Sequence, residues 1–289
     1  MHLSRRNSRP RRSRAVTLHA TAVCLLGILL AMAAHAAGIP MEKLQLTNAP
    51  GISIKPLMVG EIAELKVDLV SITAPALHVE LAKPNKAVVW MIVDGKGTMK
   101  TRNRHFEVEG ETIARAPQGW DWRISAAPGT TLHLLRLERD ITPGDFEELK
   151  KYPQFQAEPW VKKFLECEPY SEAIKSPKTI SRTLLPENYV PRMALGTVET
   201  TGPDEVGKHS HPMLEQLFFG LRGNDIIVTA DNDQANLTEF TILHIPLGSH
   251  HGAHVLDGKK LHYVWMDFFM KKEGQEWLKM HKPISETQK

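Results

Sequence analysis

The chain has 289 residues, 42% hydrophobic and 24% charged, which suits two domains of ordinary size and excludes collagen-like, coiled-coil and wholly disordered chains. Its formal charge of +3 misleads, because residues 1–36 carry six Arg and no acid. The remainder has 30 basic against 33 acidic residues, which disfavours a protein that coats nucleic acid.

In chain order, residues 1–36 read first, as an export signal. Six arginines within residues 5–14 precede an apolar run over 22–30, and Ala34-His35-Ala36 forms a small-x-small cleavage site. A retained membrane anchor is the competing reading, but the apolar core between His19 and His35 is short for one. Ser4-Arg5-Arg6 is a weak match to a twin-arginine signal. The mature chain is expected to begin near Ala37 and to be periplasmic or secreted. No later stretch reaches 18 apolar residues, so no membrane span is expected after cleavage. Cys24 leaves with the signal, and Cys167 is then the only cysteine, so no internal disulfide is expected. The neighbours Glu166 and Glu168 would raise a thiol's pKa, which favours a small buried residue over a reactive thiolate.

From residue 52 to 137 the chain is mostly short β-like runs, including 64–72, 77–81, 88–93 and 131–137. Between about 144 and 191 the pattern changes, and 146–151 and 160–165 both read as helices. The β pattern returns over 193–269, and one more helix is expected around 275–281.

The two β blocks keep a common register. Trp90-Met91-Ile92-Val93-Asp94-Gly95 aligns with Phe218-Phe219-Gly220-Leu221-Arg222-Gly223. Pro117-Gln118-Gly119 follows Gly95 by 22 residues, and Pro246-Leu247-Gly248 follows Gly223 by 23. Leu132-His133 and Leu261-His262 each follow their proline by 15. Three landmarks in step argue a duplicated all-β domain rather than chance similarity.

The second block carries histidines in a metal-ligand pattern. His209-Ser210-His211 would put two imidazoles on one face of a strand, Glu215-Gln216 opens the next strand, and Pro246-Leu247-Gly248 leads to His250-His251. Imidazoles from separate strands converging inside a barrel make a divalent-metal site.

The run from His209 through Gly223, and that from Pro246 through Ala253, resemble the two signature motifs of the cupin superfamily. The resemblance covers about 190–270 specifically and 50–140 more loosely. It implies a bicupin: an all-β chain of two tandem cupin (jelly-roll β-barrel) domains with a short, partly helical linker. The expected divisions are a signal over 1–36, a degenerate first domain over 40–143, a linker over 144–190, a metal-binding domain over 191–270 and a helical tail over 271–289. In the superfamily the fourth ligand usually lies seven residues before the strand-ending glycine. Counted back from Gly223, that is Gln216. The implied ligands are His209, His211, Gln216 and His251, with Glu215 as the fallback, and the implied cofactor is one divalent transition metal (Zn, Mn, Fe or Ni). A neutral Gln carbonyl leaves the ion's charge uncompensated, so the site favours anionic ligands.

The first block lacks this pattern, with Lys83, Val88 and Trp122 at or beside the ligand positions. Trp90, Trp120 and Trp122 either line a ligand pocket or fill the core. Among the other histidines, His250 and His254 are expected at a rim, His262 exposed, and His244 carries no signal. The last strand puts Tyr263, Trp265, Asp267 and Phe269 on one face. If that face looks inward, Asp267 is a general acid/base candidate; otherwise it is a solvent-facing carboxylate near a strand end.

The second motif and the Asp267-Phe268-Phe269 ending are similar to small cupins that open unsaturated uronates from pectin or alginate. That resemblance implies an exported, metal-dependent isomerase or lyase acting on a carboxylated or carbohydrate-derived molecule. The export signal and the degenerate first domain depart from that group. A cupin dioxygenase using Fe and O₂, and a non-catalytic periplasmic ligand-binding protein, are the alternatives. The expected partners are a small anionic ligand and a second copy in a homodimer, with no nucleic acid.

Overall fold

The computed structural model describes residues 38–275. The export segment and most of the expected helical tail lie outside the described residues. A short strand, β1 (Met41–Lys43), is followed by nine more: β2 (Ile52–Leu57), β3 (Leu65–Thr73), β4 (Leu77–Glu80), β5 (Lys86–Asp94), β6 (Lys96–Thr101), β7 (Arg104–Glu109), β8 (Thr112–Arg115), β9 (Trp122–Ala126) and β10 (Thr131–Asp140). The connecting region holds α1 (Pro143–Lys151), β11 (Trp160–Lys163) and β12 (Pro169–Tyr170). Then come β13 (Ile180–Leu185), β14 (Met193–Thr201), β15 (Asp204–His209), β16 (Leu214–Gly220), β17 (Asp225–Ala230), β18 (Asp233–Thr238), β19 (Thr241–Ile245), β20 (His251–Val255) and β21 (Lys260–Phe269).

These strands build two jelly-roll barrels of the same topology. The first has sheets ordered β11-β8-β5-β10-β3-β2 and β4-β9-β6-β7. The second has β1-β19-β16-β21-β14-β13-β12 and β15-β20-β17-β18. Every pairing in the first half recurs in the second, so the repeat legible in three sequence landmarks is a repeat of strand order. The barrels also exchange strands. β1, from the beginning of the described chain, pairs with β19 of the second barrel, while β11, from the connecting region, pairs with β8 of the first.

That exchange corrects two expectations. The stretch 160–165 is not helical, because Trp160–Lys163 is an edge strand and Phe164–Glu166 a single 3₁₀ turn. The open edge of β8 supplies backbone partners that an isolated helix would have to replace, and Trp160 Nε1 donates to the Leu184 carbonyl at 2.8 Å. Residue 191 is also too late a start for the second barrel, whose sheet already contains β12 and β13. The helix expected over 146–151 does form, as α1, with a Thr142–Asp145 capping box at its start.

Alternation along the strands divides the core. In β16, Leu217 and Phe219 join Val264 and Met266 of β21 in the apolar layer shared with Leu69, Met91, Leu135 and Leu137 of the first barrel. The intervening residues face into the second barrel, where Phe218, Leu261 and Tyr263 pack with Val228 and Leu243. Each barrel thus buries both faces of its larger sheet, one against its own smaller sheet and one against the other barrel. Cys167 is a buried free thiol in this shared layer, and burial pushes its pKa up to about 11.

Candidate metal centre

The turn before β20 delivers one histidine. Ser249 N–H closes a turn on the Pro246 carbonyl at 3.0 Å, with Gly248 at a φ of +75° that L side chains rarely adopt. Asp231 anchors the following residues by accepting from Ser249 Oγ at 2.6 Å and from the His250 N–H at 2.9 Å. His251 then pairs in register with His209 at the end of β15. His211 lies just beyond that strand, its carbonyl accepting from the Gly248 N–H at 3.3 Å. One ligand atom from each of His209, His211 and His251 lies within 4.8 Å of the others.

The hydrogen bonds set the tautomers. His209 Nδ1 donates to the Gly207 carbonyl at 2.8 Å, and His251 Nδ1 to the Ser249 carbonyl at 3.0 Å. In a neutral ring a carbonyl held at Nδ1 leaves Nε2 as the nitrogen with the lone pair, which is how metal-binding imidazoles are oriented. Burial and the neighbouring His209 hold the His251 pKa down to about 4, so this ring is neutral at neutral pH. His251 Nε2 is buried without a hydrogen-bond partner.

Gln216 enters the same cavity from β16. Its Nε2 donates to Asp267 Oδ1 at 2.6 Å, and its Oε1 is buried without a partner. Two orphaned lone pairs beside a histidine cluster fit a divalent cation, which would satisfy both. Glu215 faces the other way. It accepts from His244 Nε2 at 2.8 Å, and Glu61 accepts from His244 Nδ1 at 2.9 Å. Burial works against a charged imidazole there, yet the two carboxylates raise the His244 pKa above its ordinary 6.5. His244 carried no sequence signal, because its role depends on Glu61, 183 residues away.

Asp267 looks inward, the open alternative from strand parity. It lies opposite Gln216 in the β16–β21 register and is 4% exposed. Burial pushes its pKa up to about 7, with Gln216 working in the opposite direction. Beside it, Trp265 packs over Gly196 of β14, where an added Cβ would come within 2.3 Å of the indole. His262 differs from expectation. It is buried at 6% exposure, within 3.8 Å of Glu111 of the first barrel.

The first barrel fills the equivalent place differently. In matching register positions, Glu80–Trp122 replaces His209–His251, Val88–Glu138 replaces Gln216–Asp267, and Asp68–Arg136 replaces Gly196–Trp265. The Arg136 guanidinium bonds Glu80 at 2.7 and 2.8 Å, Glu138 at 2.5 Å and Asp68 at 3.2 Å. Lys83 donates to Glu138 at 2.8 Å. A resident organic cation thus stands among carboxylates where the second barrel gathers imidazoles. Trp90 is a fully buried core residue; Trp122 is buried as well but, with Trp120, which stacks under Arg102 at 3.8 Å, it borders a small cleft shared with Glu80, Lys83 and Val88.

Solved structures give the same fold. A cupin 2 conserved barrel domain protein from Leptotrichia buccalis matches with a TM-score of 0.56 at 10% identity, covering 81% of this chain and 98% of its own. Protein Ylba from E. coli matches with 0.59 at 12% identity, covering 84% and 96%. A mutant of Bacillus subtilis oxalate decarboxylase matches with 0.57 at 12% identity, covering 85% and 82%. No protein-family model and no curated protein sequence matches the chain. The protein has the cupin fold, with a histidine triad able to hold a metal in its second barrel.

Proposed function

We propose that the second barrel holds one divalent transition metal on His209, His211, His251 and Gln216, and that the protein is a metal-dependent enzyme for a small carboxylated or carbohydrate-derived substrate. The observation that carries the reading is the pair of buried, partnerless atoms His251 Nε2 and Gln216 Oε1 beside the other two imidazoles. A divalent ion there supplies Lewis-acid polarisation of a bound oxygen. With no carboxylate among the four ligands, the site attracts an oxygen anion. The cavity of about 180 Å³ is below the roughly 300 Å³ of drug-sized pockets, which suits a single sugar acid or short organic acid.

Asp267 is the proton carrier in this reading. A carboxyl group poised near pH 7 gives and takes a proton with little bias, and the Gln216 bond orients it toward the cavity. Opening the ring of an unsaturated uronate needs only such transfers: the anomeric hydroxyl gives up its proton as the bond from the anomeric carbon to the ring oxygen breaks, and the enolate so released takes a proton on carbon. Export of residues 1–36 would place this chemistry outside the cytosol.

Two expected outcomes test the assignment. Gln216→Ala weakens metal retention by tenfold or more, whereas Glu215→Ala leaves metal content unchanged and only disturbs the contact with His244. The opposite order, measured by metal analysis after dialysis, would return the fourth position to Glu215. Asp267→Asn keeps an acceptor for Gln216 and keeps the metal, but lowers turnover about 10²–10⁴-fold on whichever uronate or keto acid raises the melting temperature of the metal-loaded protein. Unchanged turnover removes Asp267 from the chemistry, and tight binding with no turnover in the wild type makes the protein a ligand-binding module.

A further inference from the structure

The region between the barrels contributes to the metal cavity. After β12 the chain folds back over the free edge of β15, where Lys175 bridges Val206 and the Gly207 N–H donates to the Ile174 carbonyl at 2.8 Å. Asp204 pins this strap by accepting from Ser176 Oγ at 2.8 Å and Thr179 Oγ1 at 2.9 Å. The strap brings Glu172 and Lys175 into the lining of the cavity that also holds His209, His211, Gln216 and Asp267. Among the described residues the first barrel has no counterpart. Its β4, the equivalent of β15, pairs only with β9, and Leu77, Val79 and Leu81 are exposed along it. A covering strap on one barrel of a duplicated pair belongs to what that barrel alone does.

Lys175 is an unusual residue to bury. Its side chain is 5% exposed. Its ammonium bonds Ser181 Oγ at 2.9 Å and pairs with Glu172, which accounts for two of three N–H donors. A buried cation needs compensation, and its single carboxylate partner lines the same cavity. Within the lining, Lys175 and Glu172 cancel, while Gln216, and imidazoles when they ligate a metal, carry no charge. A divalent ion on those ligands would leave the cavity with an excess of positive charge, offset by Asp267 alone.

We propose that Lys175 is the second anchoring point of the substrate, and that the site is built for a small dianion with one acidic group toward the metal and the other on the Lys175 ammonium. This rests on the metal reading above and narrows its substrate class. Glu172 holds Lys175 in place and is displaced from one N–H when the second acid group enters. Charge then selects a diacid over a monoacid of the same size, because only the diacid satisfies both cations.

The test is calorimetric titration of the metal-loaded protein with malonate and succinate against acetate. In the wild type at least one diacid binds tenfold or more tighter than acetate. Lys175→Met loses that preference, its diacid-to-acetate affinity ratio falling toward one even though the uncompensated Glu172 weakens both, while its metal content stays as in the wild type. Lys175→Arg retains it, and Glu172→Gln, which frees the ammonium, strengthens diacid binding. These two variants keep the test decisive should Lys175→Met fold poorly. A diacid preference that survives in Lys175→Met, or a wild type that binds acetate and the diacids equally, overturns this inference and leaves the metal reading standing. A wild type that retains no metal overturns both.

Discussion

His251→Ala is expected to empty the second barrel of metal. The ring is 2% exposed, and its only hydrogen bond turns Nε2 toward the cluster, so alanine removes a ligand that no neighbour can replace. A ligand that binds only the folded state at a thousandfold excess over its Kd adds about 4 kcal/mol of stability. That metal-dependent gain, read as the difference in melting temperature with and without a chelator, disappears in His251→Ala and equally in His211→Ala. The metal-free fold survives, because the inner apolar cluster of Phe218, Val228, Leu243 and Tyr263 does not depend on the ion. One metal per chain persisting in both variants would place the site elsewhere.

Arg136→Met is expected to have the largest effect on stability itself. Arg136 is 7% exposed and serves three carboxylates, of which Glu138 is 2% exposed. Removing one partner of a buried charge network costs about 3–5 kcal/mol, because the remaining charges lose their compensation. Lys83 stays, but its side chain is half-exposed and reaches only Glu138. Burial alone would raise the Glu80 pKa, yet the hydrogen bonds from Arg136 and the His78 imidazole 3.5 Å away overcome it and hold the group at about 2 instead of 4.5. A carboxylate with a depressed folded pKa contributes stability that is full above the unfolded value of 4.5 and is lost as pH falls toward 2. A shift of this size corresponds to about 3 kcal/mol. In Arg136→Met the crowded carboxyls gain by protonation, so the deficit against wild type is larger at pH 7 than at pH 4. Urea unfolding at the two pH values measures this. A deficit independent of pH would mean that Arg136 acts through packing rather than charge. Metal retention in the second barrel is expected to be unaffected.

The first barrel also shows how far a sequence comparison reaches. Spacing put Val88 and Trp122 at ligand positions, and the register agrees. Glu80 escaped that alignment, because a bulge between Val206 and His209 in the second barrel shifts the pairing of β15 relative to a simple count. The misread segment at 160–165 has a different cause. Its local pattern suits a helix, but the open edge of β8 lies within reach once the first barrel has closed, and pairing with that edge wins.

The duplication and the grouping of His209, His211 and His251 were legible in the sequence, from landmarks that keep register and from histidines set beside a strand end and a Pro-x-Gly turn, where local spacing dictates direction. Gln216 rather than Glu215 came from the resemblance to the cupin motif, counted back from Gly223. Only the tertiary structure decided which face of β21 is the inside, and with it the burial that pushes Asp267 up to about 7. It also decided that His244 is clamped between Glu61 and Glu215, that Arg136 takes the first barrel's central place, and that Lys175 reaches the metal cavity. Each of these depends on desolvation or on a charge partner distant in sequence. Both are properties of the packed barrels, and no local spacing encodes them.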